Sequence, residues 1–282
     1  MALIREPAVA GTFYPGKADV LERDIRRYLD DALFDPIEGN VVGVVSPHAG
    51  YIYSGHVAAY GFKTLLGKSY DTVVVIAPSH RAYFEGVAVM DEGGYRTPLG
   101  VVAVDEEFAG RLLKKEGVVK RNPEIHRGEH SLEVQIPFLQ VVLKGFKIVP
   151  LIMGVQTAEA CERLAHSIYE AMKEGTGRYL AVGSTDLSHY YSSHKAAQLD
   201  GIAVGYLERF DPAGLLKDLE TRKYEACGAG PMIATLQVSQ RLGATRSKVL
   251  KYANSGDVSG DRSAVVGYVS CVLYGKEGGK GE

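Results

Sequence analysis

Four runs dominated by apolar residues, many of them β-branched, constrain the fold of this chain more than any other feature. The runs are Val41–Val45, Asp71–Ala77, Phe146–Met153 and Arg178–Ser184. A strand exposed on one face alternates polar and apolar residues, so these runs predict strands buried on both faces. Amphipathic patterns such as Ala18–Leu33 and Ala158–Lys173 predict helices that cover them. We therefore predict a single α/β domain over residues 1–274, with a mixed, mostly parallel sheet flanked by helices, and a polar C-terminal tail over residues 275–282.

Composition and cysteine usage argue against several classes of protein. The formal charge is -2, with both signs mixed along the chain, which gives no electrostatic footprint for nucleic acid or an anionic membrane. The N-terminus lacks the apolar segment of a secretory signal, and no apolar run approaches the roughly 18 residues of a membrane span. Three widely spaced cysteines argue against a disulfide framework. We expect a cytoplasmic protein that binds neither nucleic acid nor membrane.

Three of the eight histidines follow separate predicted strands. His48 comes shortly after Val45, His80 follows Ala77-Pro78, and His189 follows the run that ends at Ser184. In an open α/β sheet, ligands bind at the carboxyl edge of the strands. We therefore expect the three histidines to share one pocket, whereas any one of them alone is also compatible with a loop residue that caps a strand.

Histidines grouped in this way are typical of a metal centre. Neutral imidazole is the commonest metal ligand, and two histidines with one anionic ligand suit non-haem Fe(II). The anionic candidates are Asp186, Cys227 and Glu225. Cys227 precedes Gly228-Ala-Gly-Pro231 at a predicted helix N-terminus, where the helix dipole would lower the pKa of the thiol. From these residues alone, Cys227 is equally compatible with a small buried apolar side chain.

Further residues are candidates for moving protons. Asp186 and His189 could ligate a metal or could form an acid/base pair beside it. His130 and Glu133 are weaker candidates, because both residue types commonly cap and solvate the start of a helix. The sequence Gly67-Lys68-Ser69 lacks the first glycine of a phosphate-binding loop, since Phe62 stands in its place.

Six motifs, read together, resemble the Memo family, whose prokaryotic members are called AmmeMemoRadiSam system protein B. They are the opening REPAVAGTFYP (5–15), PHAGYIYSG (47–55), APSH (77–80), EHSLE (129–133), STDLSH (184–189) and CGAGP (227–231). The likeness covers nearly the whole chain in the expected order. It implies a fold similar to class III extradiol (LigB-type) dioxygenases, in which two histidines and a glutamate hold Fe(II).

The resemblance also implies roles for particular residues. His48 and His80 match the two metal-binding histidines, and Cys227 takes the place of the carboxylate. A thiolate is softer than a carboxylate and shifts the preference from Fe(II) toward Cu(I). Asp186 and His189 match further pocket residues of the family. The family name implies an AMMECR-type protein and a radical S-adenosylmethionine enzyme as partners.

Three functions are compatible with these residues. The first is a non-haem iron or copper redox enzyme, with metal on His48, His80 and Cys227, protons handled by His189 or His130, and an unknown small-molecule substrate. The second is a protein that binds a peptide or a partner protein in the same pocket without turnover. This pocket would be lined by Tyr51, Tyr53 and Tyr190. The third is a copper-handling protein.

Overall fold

The computed structural model describes residues 3–115 and 117–276. The strands are β1 (Ile4–Arg5), β2 (Asn40–Ser46), β3 (Thr72–Pro78), β4 (Val87–Val89), β5 (Gly94–Thr97), β6 (Gly100–Ala103), β7 (Val119–Arg121), β8 (Lys147–Met153), β9 (Tyr179–Ser184), β10 (His189–Tyr191), β11 (Arg246–Asn254) and β12 (Val265–Gly275). The helices are α1 (Ala18–Asp31), α2 (Tyr51–Lys63), α3 (Glu106–Leu113), α4 (Ile136–Val142), α5 (Ala158–Lys173), α6 (Ser193–Arg209), α7 (Pro212–Glu220), α8 (Ala229–Arg241) and α9 (Gly256–Ser259).

The main sheet has a parallel centre and antiparallel flanks. Its strands lie in the order β10-β12-β2-β9-β3-β8-β4-β7, and β11 pairs with β12. Strands β2, β9, β3 and β8 run parallel, whereas β12 and β4 pair antiparallel on either side of them. Strands β1, β5 and β6 form a separate small sheet. The predicted α/β fold with a mixed sheet flanked by helices is confirmed.

Both faces of the central strands are buried, as their composition predicts. In β3, Val74 belongs to the apolar cluster that includes residues of α3, α5 and α8. Its neighbours Val73 and Val75 point the other way, into the cluster that includes residues of α1, α2 and α4. All three valines are fully buried. A strand covered by helices on each side has no solvent face, which explains why the four runs do not alternate.

Helix α2 begins close to the end of β2. The N-cap is Gly50, and Ser54 lies inside the helix with its hydroxyl donating to the carbonyl of Ala49 at 2.9 Å. The helix therefore starts almost directly after the turn that carries His48. This short connection leaves His48 little freedom relative to the strand before it.

Three expectations concern the ends of the chain and its surroundings. Gly275, expected in the polar tail, is the last residue of β12, and residues 277–282 of that tail lie outside the described residues. The domain limits 1–274 stay a prediction. Within residues 3–115 and 117–276, no helix combines the length and apolar character needed to cross a membrane.

Helix α8 packs very closely on the sheet beneath it. A Cβ atom built on Gly183 in β9 would lie 2.6 Å from the Oγ1 of Thr235 and 3.0 Å from the carbonyl oxygen of Pro231. Both contacts are tighter than carbon and oxygen normally tolerate, so a glycine is required at this position of β9. The same close packing fixes the N-terminal end of α8, which follows Cys227.

We predict that Gly183→Ala lowers the free energy of unfolding by about 1–3 kcal/mol, because the added methyl group overpacks the contact with α8. Urea denaturation followed by circular dichroism measures this. Gly110→Ala is the matched control, since Gly110 lies in α3 with open space around its Cα; it should stabilise the protein slightly, by about 0.5–1 kcal/mol. Equal stability of Gly183→Ala and wild type would contradict the close packing.

Candidate metal centre

The candidate site lies where β2, β9 and β3 end. These three strands are parallel neighbours with β9 in the middle, so their carboxyl ends share one edge of the sheet. His48 follows the end of β2 by two residues, His80 follows β3 by two, and Asp186 follows β9 by two. The structure thus brings together three segments that lie far apart in the sequence.

Three imidazole rings cluster at this edge, those of His48, His80 and His130. The ring centroids lie 5.0 Å apart for His48 and His80, 5.7 Å for His48 and His130, and 4.7 Å for His80 and His130. One nitrogen from each ring lies within 4.8 Å of the other two. Burial lowers the pKa of His48 and of His130 below the ordinary value, so these rings are neutral near pH 7. Neutral imidazole is the form that binds metal.

The hydrogen bonds of Ser184 determine the tautomer of His48. The Ser184 hydroxyl donates its proton to the carbonyl of Ser131 at 2.7 Å and accepts an N–H from Gln135 at 2.8 Å. The Nδ1 of His48 lies 2.8 Å from the same hydroxyl and must therefore be the donor. Nε2 of His48 then carries the free lone pair. This nitrogen faces the sulfur of Cys227 at 3.0 Å.

Glu129 fixes His80 in the same way. One carboxylate oxygen of Glu129 lies 3.0 Å from Nδ1 of His80, and the other accepts the backbone N–H of His80 at 2.6 Å. Burial would raise the pKa of Glu129, but the hydrogen bonds from His80 and Ser131 outweigh it and hold the pKa at about 2. An ionised carboxylate must receive a proton from Nδ1, so Nε2 of His80 is free. A carboxylate behind a histidine is a common support for metal ligands.

Two hydrogen bonds join Cys227 to Asp186. The backbone N–H of Cys227 donates to the carbonyl of Asp186 at 3.1 Å, and the backbone N–H of Asp186 donates to the sulfur at 3.2 Å. The Asp186 carboxylate accepts the backbone N–H of His48 at 2.7 Å. Burial raises the pKa of Asp186 to about 7. Asp186 therefore positions both His48 and Cys227.

The expected lowering of the Cys227 pKa is wrong. Gly228 is indeed the N-cap of α8, so the helix dipole points as the sequence predicts. Burial, reinforced by the neighbouring Asp186 carboxylate, nevertheless raises the pKa of the Cys227 thiol well above its ordinary value. The thiol is protonated near pH 7 and donates to Nε2 of His48. A bound cation would be needed to favour the thiolate here.

The donor set fits a transition-metal ion. Metal–nitrogen bonds of roughly 2.0–2.1 Å allow two nitrogens on one ion to lie at most about 4.2 Å apart. The nitrogens of His48, His80 and His130 lie within 4.8 Å of one another, so small shifts of the rings would bring them within reach of one ion. The sulfur of Cys227 lies next to His48. Imidazole and thiolate ligands suit iron, copper and zinc better than magnesium or calcium.

A cavity of about 730 Å³ opens beside Cys227 and is also lined by His189, Leu187, Gln156 and Tyr224. Nδ1 of His189 donates to the carbonyl of Leu187 at 2.8 Å, which leaves Nε2 free. A cavity of this size suits a small molecule. His189 therefore lies at the candidate ligand cavity, whose lining does not include His48, His80 or His130.

Two other candidates have different partners. Glu225 accepts a hydrogen bond from the hydroxyl of Tyr191 at 2.6 Å on the surface. Tyr51, expected to line the pocket, is buried and donates from its hydroxyl to the carbonyl of Val134 at 2.6 Å. Its ring therefore belongs to the core rather than to the pocket wall.

Sequence reasoning missed Glu129, Ser184 and Gln135 as supports of the site. None of them lies in a pattern of period 2 or 3.6 that would mark its direction. Glu129 and Ser184 are inside the EHSLE and STDLSH motifs, which are the only sequence signal that pointed to them. His130 was expected to act beside the metal, and the structure places it within the group of three imidazoles.

Comparisons with known proteins agree across nearly the full length. The sequence model of the family described as Memo-like protein matches residues 5–272. A MEMO1 family protein of Methanosarcina mazei is 40% identical over 271 residues, which cover 96% of this chain and 99% of the relative. Relatives with the same description are 42% identical in Ignicoccus hospitalis, over 95% of this chain and 98% of the relative, and 38% identical in Sulfolobus acidocaldarius, over 95% and 98%.

We predict that Glu129→Gln weakens metal binding about 10- to 100-fold, because an amide group would point N–H bonds at donors that need an acceptor. Titration of the purified protein with Co(II) measures the affinity. Glu124→Gln is the control, since Glu124 lies in the same segment but is exposed and paired with Arg127. If both variants bind Co(II) as the wild type does, Glu129 does not support the site.

A second prediction concerns His126, which anchors the start of the segment that carries His130. The ring is fully buried between the hydroxyl of Tyr95 at 2.5 Å and the carbonyl of Ala88 at 3.2 Å. Burial lowers the pKa of His126 to about 3. A histidine that is neutral when folded and protonates near pH 6.5 when unfolded stabilises the protein above that pH, and this contribution is lost as the pH falls toward 3.

When the pH falls from 7 to 5, the unfolding free energy of the wild type should therefore decrease by about 2 kcal/mol more than that of His126→Gln. Urea denaturation at several pH values measures the difference between the two proteins. His166→Gln serves as the control because His166 is exposed on α5. A wild-type minus His126→Gln difference that does not change with pH would be inconsistent with a neutral buried ring.

Proposed function

This chain belongs to the Memo-like protein family, and from that premise we propose that it is a metal-dependent redox enzyme with the ion held by His48, His80 and Cys227. The observation that carries the proposal is the close approach of the candidate ligand atoms to one another. Nε2 of His48 faces the sulfur of Cys227 at 3.0 Å, and the nitrogens of His48, His80 and His130 lie within 4.8 Å. His130 adds a further nitrogen to this group. Its sequence-based role in proton handling stays a prediction.

Fe(II) is the ion we propose first. When bound, a redox metal with open positions supplies a place for O₂ or a substrate oxygen. The protein supplies rings whose orientation is already fixed, because Ser184 and Glu129 hold the Nδ1 protons of His48 and His80. Ligands held in advance lose little freedom when the ion binds. The cavity beside Cys227 would receive the substrate.

Proton handling is assigned to His189 and Asp186. His189 presents a free Nε2 at the cavity that Cys227 also lines. The pKa of Asp186 is about 7, and its second carboxylate oxygen lies 4.0 Å from Nε2 of His48. A group with a pKa near the working pH can both take up and release a proton. The AMMECR-type and radical S-adenosylmethionine proteins stay predicted partners.

Copper handling is the second candidate, and Cys227 is the observation that favours it. A thiolate is a soft donor that prefers Cu(I), and imidazole also suits copper. In this case the protein would bind Cu(I) tightly and would not consume O₂ with any added substrate. The redox proposal requires turnover, so oxygen uptake by metal-loaded protein separates the two.

We predict that protein purified without air contains close to one equivalent of iron, and that His48→Ala, His80→Ala and Cys227→Ser each retain less than a tenth of it. Removal of a ligand takes away one bond to the ion and the binding free energy that it supplies. Elemental analysis for iron and copper, with electron paramagnetic resonance, makes the measurement. His194→Ala is the control, because His194 lies exposed on α6 with Gln198 as its partner.

A metal-free wild type, or full iron content in the three ligand variants, would refute the proposed centre. Copper in place of iron, lost in the same variants, would replace Fe(II) as the proposed ion, and oxygen uptake would then separate a copper redox enzyme from a copper-handling protein. Iron content close to that of the wild type in His194→Ala is required for the comparison to hold.

A further inference from the structure

Arg5 is a buried cation that holds the loop carrying His130. Its side chain is 2% exposed, and its guanidinium bonds to this loop at three points. Nε donates to the carbonyl of His126 at 2.9 Å, Nη2 donates to the carbonyl of Glu129 at 2.6 Å, and Nη1 pairs with the carboxylate of Glu133. A planar guanidinium can bond three acceptors in a fixed arrangement, which a lysine ammonium cannot reproduce. Arg5 therefore fixes both ends of the loop.

The carboxylate of Glu133 also binds the N-terminal segment through several hydrogen bonds. Besides pairing with Arg5, it accepts the hydroxyl of Tyr14 at 2.5 Å, the backbone N–H of Ala8 at 2.8 Å and that of Val9 at 3.1 Å. Glu133 is fully buried, and its two oxygens share four donors. The segment before α1 and the loop with His130 are thus tied together by a dense polar network.

Phe13 extends the contact to two histidine-bearing segments. Its ring centroid lies 4.8 Å from that of His130. Its carbonyl accepts the backbone N–H of Tyr51 at 2.7 Å, three residues after His48. The N-terminal segment therefore contacts the site from two directions, once through the ring of His130 and once through the start of α2.

We propose that the segment Arg5–Tyr14 is an integral wall of the metal site and that Arg5 is a positioning residue for Glu129 and His130. The proposal rests on the proposed function, since it concerns the same centre. Arg5 holds the backbone of Glu129, the Glu129 carboxylate holds the ring of His80, and His130 is the next residue in the chain. A shift of this loop would displace two of the three nitrogen donors together.

A purely structural role would give a different result. If the Arg5 network only stabilised the fold, a variant would unfold more easily, but its folded molecules would bind metal as the wild type does. If Arg5 positions the donors, the folded variant binds metal more weakly and with altered coordination. Affinity and spectrum of the folded protein therefore separate the two roles.

The test is titration of full-length protein with Co(II), whose visible spectrum reports the ligand set and whose sulfur-to-cobalt band reports Cys227. Arg5→Lys keeps the charge and loses the fork of donors. We expect its Co(II) affinity to fall about 10- to 100-fold, with the ligand-field bands shifted toward those of His130→Ala and the sulfur band retained. Tyr70→Phe is the matched control, because it removes a buried hydrogen bond to the carbonyl of Val41 at 2.7 Å.

Wild-type affinity and spectrum in folded Arg5→Lys would overturn the positioning role and leave the proposed metal centre intact. A wild type that binds no Co(II) would overturn both. If Arg5→Lys does not fold, Tyr14→Phe removes one of the four donors to Glu133 and carries the same test. We expect a smaller loss for Tyr14→Phe, about two- to fivefold, and unchanged binding in that variant would equally refute the inference.

Discussion

The hydroxyl of Ser184 has one proton, and its destination determines how this site is built. Because β9 lies between β2 and β3, Ser184 ends the central strand where the neighbouring segments meet. It donates to the carbonyl of Ser131, so only lone pairs remain for its other partners, Gln135 and His48. His48 must then direct its Nε2 lone pair at Cys227. One buried hydroxyl thereby connects the sheet, the segment that carries Ser131 and Gln135, and the candidate ligand His48. Because all of its hydrogen bonds are made, only one arrangement of donors and acceptors remains.

Burial keeps the candidate donors His48, His130 and Cys227 uncharged near pH 7. The two rings are neutral and the thiol is protonated, since burial lowers the first two pKa values and raises the third. The ionised Glu129 carboxylate acts through the ring of His80 rather than by facing the donors. An entering metal ion would displace the thiol proton, so metal affinity should increase with pH.

Local sequence patterns located part of this site and could not locate the rest. Strands buried on both faces leave runs of β-branched residues, and His48 and His80 could be found because each follows such a run. Glu129 and His130 lie in a loop with no helical or alternating pattern. Its place is set by Arg5, which is 124 positions from Glu129 along the chain. Contacts at that separation depend on the complete fold, so only the family motifs pointed to these residues.

Cys227 shows how the tertiary structure reverses a local argument. A helix N-terminus stabilises a nearby negative charge by typically 0.3–1 kcal/mol, whereas full burial shifts a pKa by up to about 3–5 units. Burial is therefore the larger effect on this thiol. The nearby carboxylate of Asp186 does not replace the sulfur, because the backbone N–H groups of His48 and Ala49 already bond to it. Since Asp186 is committed to holding the turn after β2, the donor that faces His48 is sulfur. In the proposed centre, the presence of a sulfur donor would thus follow from the hydrogen bonds that the backbone around Asp186 requires.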